Sequence, residues 1–213
     1  MIFDMDGVLL DSEPIHAEAT RRILAAEGID YEQDPSLIGL TDDEIFALFR
    51  RRYGLATDEA ELGRRFVAEV VEMLAREAAP LPGVEAVLTG LRRDGRRLAL
   101  ASSSTPDVIG ATLDALGFRP HFDAVVSGVE VPRGKPAPDI FLEAARRLGV
   151  DPPRCLVVED SFNGVRAAKA AGMACVAIPC GPTLGHDLSA ADVVLERIAA
   201  LPELLRRRGR RPE

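Results

Sequence analysis

From Pro82 onward, short and continuously apolar runs alternate with segments of helical periodicity. Such runs predict buried strands of a parallel sheet, because strands covered by helices on both faces lack an alternating polar side. The predicted strands are Leu98–Ala101, Ala124–Ser127, Cys155–Glu159, Ala174–Ile178 and Val193–Val194. The predicted helices are Val84–Arg93, a segment after Pro106 that ends at Leu116, Ala137–Leu148, Phe162–Ala171 and Ile198–Arg207.

The segment from Ser12 to Ala79 has a different pattern, in which no stretch resembles a strand. Helices are predicted for Ile15–Glu27 and Thr41–Tyr53, and one or two more for the stretch between Thr57 and Ala79. The hydroxyl of Ser12 is expected to cap the first of these helices, since serine is a preferred residue at that position. The whole segment therefore predicts an all-helical block.

The two patterns together predict an α/β fold with a doubly wound parallel sheet, a Rossmann-like core. Ile2 and Phe3 form the end of its first strand, and the helical block enters directly after that strand. We expect residues 1–11 and 80–213 to form the catalytic core and residues 12–79 to form an inserted helical cap.

Composition and charge limit the classes of function that this protein is expected to have. The 213 residues are 47% hydrophobic without any run long enough to span a bilayer, so no membrane association is expected. No export signal is visible and the three cysteines lack metal-ligand spacing, which is typical of a reduced cytoplasmic protein. The net charge of −8 argues against a nucleic-acid partner, and the basic segment 206–211 is interpreted as a solvated helix end. A monomer is expected.

Asp4 and Asp6 follow the first predicted strand, and their spacing places both side chains on one face of an extended backbone. Two neighbouring carboxylates repel each other, and a bound divalent cation relieves this repulsion; oxygen ligands favour Mg²⁺. A calcium loop is excluded, because the apolar segment Val8–Leu10 follows Gly7 where further ligands would be needed. A plain surface turn remains the alternative.

Polar residues also follow three other predicted strands: Ser102–Ser104, Lys135 beyond Ser127, and Glu159–Asp160. In doubly wound folds ligands bind at the carboxyl ends of the strands, so these residues are expected to share one site. Each has an alternative interpretation: the serines as caps of the next helix, Lys135 as a solvated loop charge, and the acids as the start of a helix. Lys135 is notable because this chain otherwise uses arginine almost throughout, Lys169 being the only other lysine.

Together these motifs resemble the haloacid dehalogenase superfamily, over essentially the whole chain. The segments that carry the resemblance are Phe3–Val8 with Asp11-Ser12, Gly134–Pro138 and Val158–Ser161. The chain is most similar to the subgroup with a small helical cap, which includes phosphoglycolate-type and sugar-phosphate phosphatases and β-phosphoglucomutase. Dehalogenases of the superfamily lack the second aspartate, so Asp6 favours phosphoryl transfer.

The resemblance implies a role for each core residue. Asp4 is the nucleophile that forms an aspartyl phosphate, and Asp6 is the general acid and base. Mg²⁺ is held by the Asp4 carboxylate, the Asp6 backbone carbonyl and Asp160, with Glu159 supporting through water. The phosphoryl oxygens are bound by backbone N–H groups and by Ser102, Ser103 and Lys135.

The resemblance also identifies candidate residues in the cap. β-Phosphoglucomutase has an arginine after a turn that matches Gly39–Thr41, where this chain has Asp42. An acid there would repel a second phosphate and favours a monophosphate substrate; Arg50–Arg52 remain open as substitutes. His16 is a candidate for hydrogen bonding to Asp6, with a helix-surface histidine as the alternative.

These observations predict a Mg²⁺-dependent phosphatase for a small phosphorylated metabolite, with a sugar phosphate as the expected substrate. Two alternatives stay open. The first is a phosphosugar mutase that resembles β-phosphoglucomutase. The second is a phosphate-accepting signalling protein of the receiver type, which also joins acids, a hydroxyl and a lysine on a doubly wound sheet but has no helical insertion.

Overall fold

The computed structural model describes residues 1–32, 34 and 42–209, in which six strands form one parallel sheet. The strands are β1 (Ile2–Phe3), β2 (Ala99–Ser102), β3 (Ala124–Ser127), β4 (Leu156–Glu159), β5 (Ala174–Ala177) and β6 (Val193–Val194). Their order across the sheet is β3-β2-β1-β4-β5-β6, so the chain winds outward in both directions from β1.

The helices lie where the periodicity predicts them, within a few residues at their ends. They are α1 (Glu13–Ala26), α2 (Asp42–Tyr53), α3 (Glu59–Glu77), α4 (Val84–Arg93), α5 (Pro106–Leu116), α6 (Asp139–Leu148), α7 (Phe162–Ala170) and α8 (Leu201–Gly209). The stretch after Thr57 forms a single helix. The predicted doubly wound α/β fold is confirmed.

The register of the central strand determines which residues emerge together at the carboxyl edge. Phe3 is aligned with Leu100 of β2 on one side and with Val158 of β4 on the other. The N–H of Asp4 continues this pairing by donating to the Val158 carbonyl at 2.9 Å. The segments that follow β1, β2 and β4 therefore begin side by side.

The two faces of the sheet contribute to two hydrophobic clusters. Phe3, Leu100 and Val158 face a cluster that also includes apolar residues of α1, α2 and α3. Their sequence neighbours Ala99 and Val157 face a second cluster, which contains residues of α6 and α7. Because both faces are covered, the strands are buried throughout, as their continuous hydrophobicity predicts.

The chain leaves the sheet before α1 and returns to it after α3, through two segments that run side by side. Leu10 forms an antiparallel bridge with Pro80, and the Leu81 N–H donates to the Leu9 carbonyl at 2.8 Å. This arrangement supports an insertion, although the division into a core and a cap at residues 11 and 80 stays a prediction. Among the helices of the described residues, none has the length and hydropathy required to cross a bilayer.

Candidate active site

A buried cluster of charged side chains lies at the carboxyl edge of the sheet. The Nζ atom of Lys135 is 2.5 Å from Asp4 Oδ1 and 2.7 Å from Glu159 Oε1, and Asp160 lies beside them. Only 8% of the Lys135 side chain is exposed. The interpretation of Lys135 as a solvated loop charge is therefore wrong.

Lys135 remains protonated in this cluster. Burial lowers the pKa of its ammonium, but the carboxylates of Asp4 and Glu159 outweigh burial and hold that pKa above its ordinary value. The Ala101 carbonyl lies 3.4 Å from Nζ, and the Phe141 ring centroid lies 5.0 Å from it. Lys135 is thus a fixed positive charge that contacts two acids from different strands.

Glu159 is held by more than its ion pair. Its Oε2 atom accepts hydrogen bonds from the N–H groups of Asp160 and Ser161, each at 2.8 Å, and from the Ser161 hydroxyl at 2.9 Å. Gly164 in the first turn of α7 leaves the space that the carboxylate fills, since a Cβ atom there would lie 1.6 Å from Oε1. Glu159 therefore ends β4, and its carboxylate links the turn that precedes α7 to Lys135.

Asp6 lies close to Asp4 in the chain but has different partners. Its Oδ1 accepts from the Ser12 hydroxyl at 2.6 Å, and its Oδ2 accepts from the hydroxyls of Ser104 at 3.1 Å and Ser102 at 3.3 Å. The expectation that the Ser12 hydroxyl caps α1 is wrong: Ser12 occupies the capping position without a side-chain cap. The hydroxyl instead donates to the half-buried Asp6 carboxylate, and a hydrogen bond to a carboxylate is stronger than one between neutral groups.

The loop after β2 is supported from β3. The Ser127 hydroxyl donates to the Ser104 carbonyl at 2.6 Å, and a Cβ atom on Gly128 would lie 3.0 Å from the Cα atom of Ser103. Ser102 is buried, whereas Ser103 is exposed. The serines do not cap α5 either, since Thr105 holds that position and makes no side-chain cap. The loop is thus close-packed against its neighbour while Ser103 faces solvent.

Three carboxylates of the cluster are suited to hold a metal ion. Asp4, Glu159 and Asp160 are all buried, and one oxygen from each lies within 4.8 Å of the others. Burial raises the pKa of Asp4 well above its usual range and, with the Glu159 charge nearby, raises the pKa of Asp160 to about 8. A cation would favour the ionised forms, and an all-oxygen donor set suits Mg²⁺. The residues present therefore fit the predicted metal.

Comparison with known proteins identifies the family. Residues 1–172 match the family described as haloacid dehalogenase-like hydrolase. The chain belongs to this family. The resemblance inferred from the motifs is therefore confirmed, and the receiver-type alternative is set aside.

Relatives of this hydrolase include named phosphatases. Hexitol phosphatase B of Escherichia coli (strain K12) is 34% identical over 206 residues, which cover 94% of this chain and 92% of the relative. Fructose-1-phosphate phosphatase YqaB of the same strain is 39% identical over 176 residues, covering 81% and 92%. The solved structure of a CbbY mutant from Rhodobacter sphaeroides in complex with xylulose-(1,5)bisphosphate is 32% identical, with a TM-score of 0.87 and 94% of each chain covered. The predicted phosphatase enzyme is confirmed.

Ser12 and Thr183 were not assigned to the site from the sequence, and Ser104 was expected there only as part of the serine run after β2. Ser104 and Ser12 hold Asp6, and the Thr183 hydroxyl lies 3.0 Å from Asp160 Oδ2. The run of three serines after β2 was a usable signal for Ser104. No sequence signal identified Thr183, because it lies on a loop after β5 and its local sequence shows no relation to β4.

The predicted cap residues remain untested. The ring of His16 packs edge-on against Phe66, with centroids 5.6 Å apart, and the described hydrogen bonds of Asp6 do not include it. Gly39, Thr41 and the Asp42 side chain lie outside the described residues. Of the candidate arginines, Arg50 pairs with Glu59 and Arg52 with Asp34.

Proposed function

We propose that this hydrolase is a Mg²⁺-dependent phosphatase that cleaves a small sugar phosphate through an aspartyl-phosphate intermediate. The proposal rests on the contrast between the surroundings of Asp4 and those of Asp6. Asp4 is buried against Lys135 and two further acids, whereas Asp6 is surrounded by serine hydroxyls. The two carboxylates thus have different environments, as a nucleophile and a proton carrier require.

The first half of the reaction forms the intermediate. A carboxylate oxygen of Asp4 attacks phosphorus, and the bond between phosphorus and the sugar oxygen breaks. Asp6, in its protonated form, donates its proton to that oxygen, so that the sugar leaves as an alcohol. Lys135 contacts Asp4 directly and offsets the negative charge that would otherwise repel the phosphate.

The second half releases phosphate. Asp6 is now ionised and takes a proton from a water molecule, whose oxygen attacks the phosphorus of the aspartyl phosphate. The bond between phosphorus and the Asp4 oxygen breaks, which restores the carboxylate and frees inorganic phosphate. Asp6 ends protonated, ready for the next substrate.

The phosphoryl oxygens are proposed to bind Lys135, Ser102 and the backbone N–H groups of the loop after β2. In the structure the Ser102 hydroxyl donates to Asp6 at 3.3 Å, so it exchanges this weak bond for one to the phosphate. Ser103 lies exposed on the same loop, where its N–H group is the candidate donor. The support of this loop by Ser127 and Gly128 keeps these donors fixed.

Mg²⁺ would be held by Asp4 and Asp160 with the Asp6 carbonyl, and Glu159 would support it from its place beside Lys135. When bound, the ion supplies charge neutralisation that lets the Asp4 carboxylate and the phosphate approach each other. The raised pKa values of Asp4 and Asp160 support this assignment.

The substrate class rests on the relatives. Two of them are named for the phosphates of hexitols and of fructose, and a third was solved with a sugar bisphosphate. We therefore propose a monophosphate of a small sugar or sugar alcohol, with no nucleic acid or membrane as partner. A monomer is proposed as the default for a capped enzyme of this size, and the cytoplasm is proposed from the cysteine pattern.

The test is phosphate release from a panel of sugar and hexitol monophosphates and phosphoglycolate, with Mg²⁺ and with a chelator. Release that depends on Mg²⁺ from one group of substrates is the expected result. β-Glucose 1-phosphate with glucose 1,6-bisphosphate belongs in the panel. Isomerisation to glucose 6-phosphate with little free phosphate would replace the phosphatase by the mutase alternative.

A further inference from the structure

Thr183 has no part in the reaction described above, yet it contacts a residue of the proposed metal site. We propose that Thr183 is a positioning residue, whose hydroxyl fixes the Asp160 carboxylate in the orientation that binds the cation. This inference rests on the proposed Mg²⁺ site.

The contact between the two side chains is buried. The Oγ1 atom of Thr183 lies 3.0 Å from Asp160 Oδ2, and the two residues are 9% and 6% exposed. Among the described residues, this hydroxyl is the hydrogen-bond donor that reaches the Asp160 carboxylate. The carboxylate also lies close against Gly7, and Thr183 supplies the hydrogen bond that directs one of its oxygens.

The turn that contains Thr183 orients the hydroxyl group of this residue. Oγ1 accepts a hydrogen bond from the Cys180 N–H at 3.0 Å, and the Thr183 N–H donates to the Cys180 carbonyl at 2.9 Å. The same carbonyl lies 2.9 Å from Oγ1 and is the alternative acceptor for the hydroxyl proton. Both acceptors lie within hydrogen-bond distance of the hydroxyl, and the turn thus places Oγ1 where its proton can reach Asp160 Oδ2.

Both ends of this loop are attached to the segment that contains Asp160. Before the loop, the Ile178 N–H donates to the Glu159 carbonyl at 2.7 Å. After it, the Nδ1 atom of His186 accepts from the Phe162 N–H at 3.3 Å. These two hydrogen bonds hold the loop, and with it Thr183, at a fixed position relative to Asp160.

Positioning of this kind has a measurable effect on metal affinity. A carboxylate that is already oriented loses less conformational freedom when it binds an ion, and partners of metal ligands typically contribute roughly 10–100-fold to affinity. Because Thr183 holds one oxygen of one ligand through a single neutral hydroxyl, we expect an effect near the lower end, about tenfold.

The experiment compares Mg²⁺ binding to metal-free wild-type protein and three variants by isothermal titration calorimetry. Thr183→Val removes the hydroxyl with little change in shape, and Thr183→Ser restores it. Thr57→Val is the matched control, because the Thr57 hydroxyl donates to the Glu27 carboxylate at 2.9 Å away from the site. We expect the dissociation constant to rise about tenfold in Thr183→Val only.

Activity provides a second readout. If Thr183 acts only through the cation, Thr183→Val needs more Mg²⁺ for half-maximal turnover but reaches nearly wild-type kcat at saturating Mg²⁺. Wild-type affinity in Thr183→Val, or a loss that Thr183→Ser does not repair, would overturn the inference. Wild-type protein that binds no Mg²⁺ at all would instead overturn the proposed metal site.

Discussion

The carboxyl edge of the sheet and the surface of α1–α3 both carry ion pairs, but the two sets differ in their surroundings. At the sheet edge, Lys135 pairs with Asp4 and Glu159 in a buried cluster. On the helices, several arginines pair with acids three or four residues away, as in Arg64–Glu61, where the arginine side chain is 68% exposed. The distances are similar, so distance alone does not distinguish the two sets.

The difference lies in what happens when one partner is lost. Water solvates a charge that is left alone on a helix surface, and such pairs contribute little to stability. A charge that is left alone in the buried cluster has no such replacement and costs several kcal/mol. Ionic contacts of equal length can therefore be dispensable in one region and essential in the other.

The largest effect is expected from Asp4→Asn. An amide is a poor nucleophile, so turnover should fall by roughly four orders of magnitude or more. The fold remains intact because the amide has nearly the same shape and Lys135 keeps its ion pair with Glu159, so that no buried charge is left alone. Phosphate release and thermal unfolding measure the two quantities. Substantial activity in this variant would show that Asp4 is not the nucleophile.

Gly164→Ala should have the next largest effect. Its Cβ atom would lie 1.6 Å from Glu159 Oε1, so the carboxylate must move away from Lys135 and from the start of α7. We expect the free energy of unfolding to fall by about 3 kcal/mol and activity to fall about 100-fold. Chemical denaturation and kcat/KM at saturating Mg²⁺ check the two values.

The control for this variant is Gly63→Ala in α3, where the nearest atom to the new Cβ would be 3.9 Å away on Phe46. Alanine is the better helix former, so this variant should gain about 0.5–1 kcal/mol and keep full activity. Equal losses in both variants would mean that the tight space around Glu159 is not the cause.

The smallest effect is expected from Arg64→Ala on the surface of α3. The pair with Glu61 is exposed and lies one turn apart on the same helix, so its loss should change the melting temperature by about 2 °C or less. Phosphatase activity should stay the same. A large loss of stability would show that surface pairs of this insertion act as a network.

The sheet and its acidic residues could be predicted because their signals are local. Continuous apolar runs identify the strands, and in a parallel sheet the carboxyl ends meet at one edge, which brings Asp4, Lys135 and Glu159 together. No contact had to be known in advance. The carboxylates follow from topology, and Lys135, on the loop beyond β3, was identified by the Gly134–Pro138 motif as well.

The hydroxyl partners could not be predicted in the same way. Ser12 has a favourable local role as a helix cap, but in the structure its hydroxyl donates to Asp6. Thr183 reaches Asp160 from a loop 23 residues later in the chain, and the sequence gives no period that relates the two. Such contacts depend on loop conformations, which only the assembled tertiary structure defines.

The cluster around Lys135 also has a consequence for electroneutrality. When the carboxylates of Asp4, Glu159 and Asp160 are ionised, the Lys135 ammonium balances one of them and leaves two negative charges in a buried space. A divalent cation leaves this space neutral, whereas a monovalent ion leaves a negative charge facing the incoming phosphate. Charge balance in this buried space therefore favours a divalent over a monovalent cation, before differences in ionic size contribute.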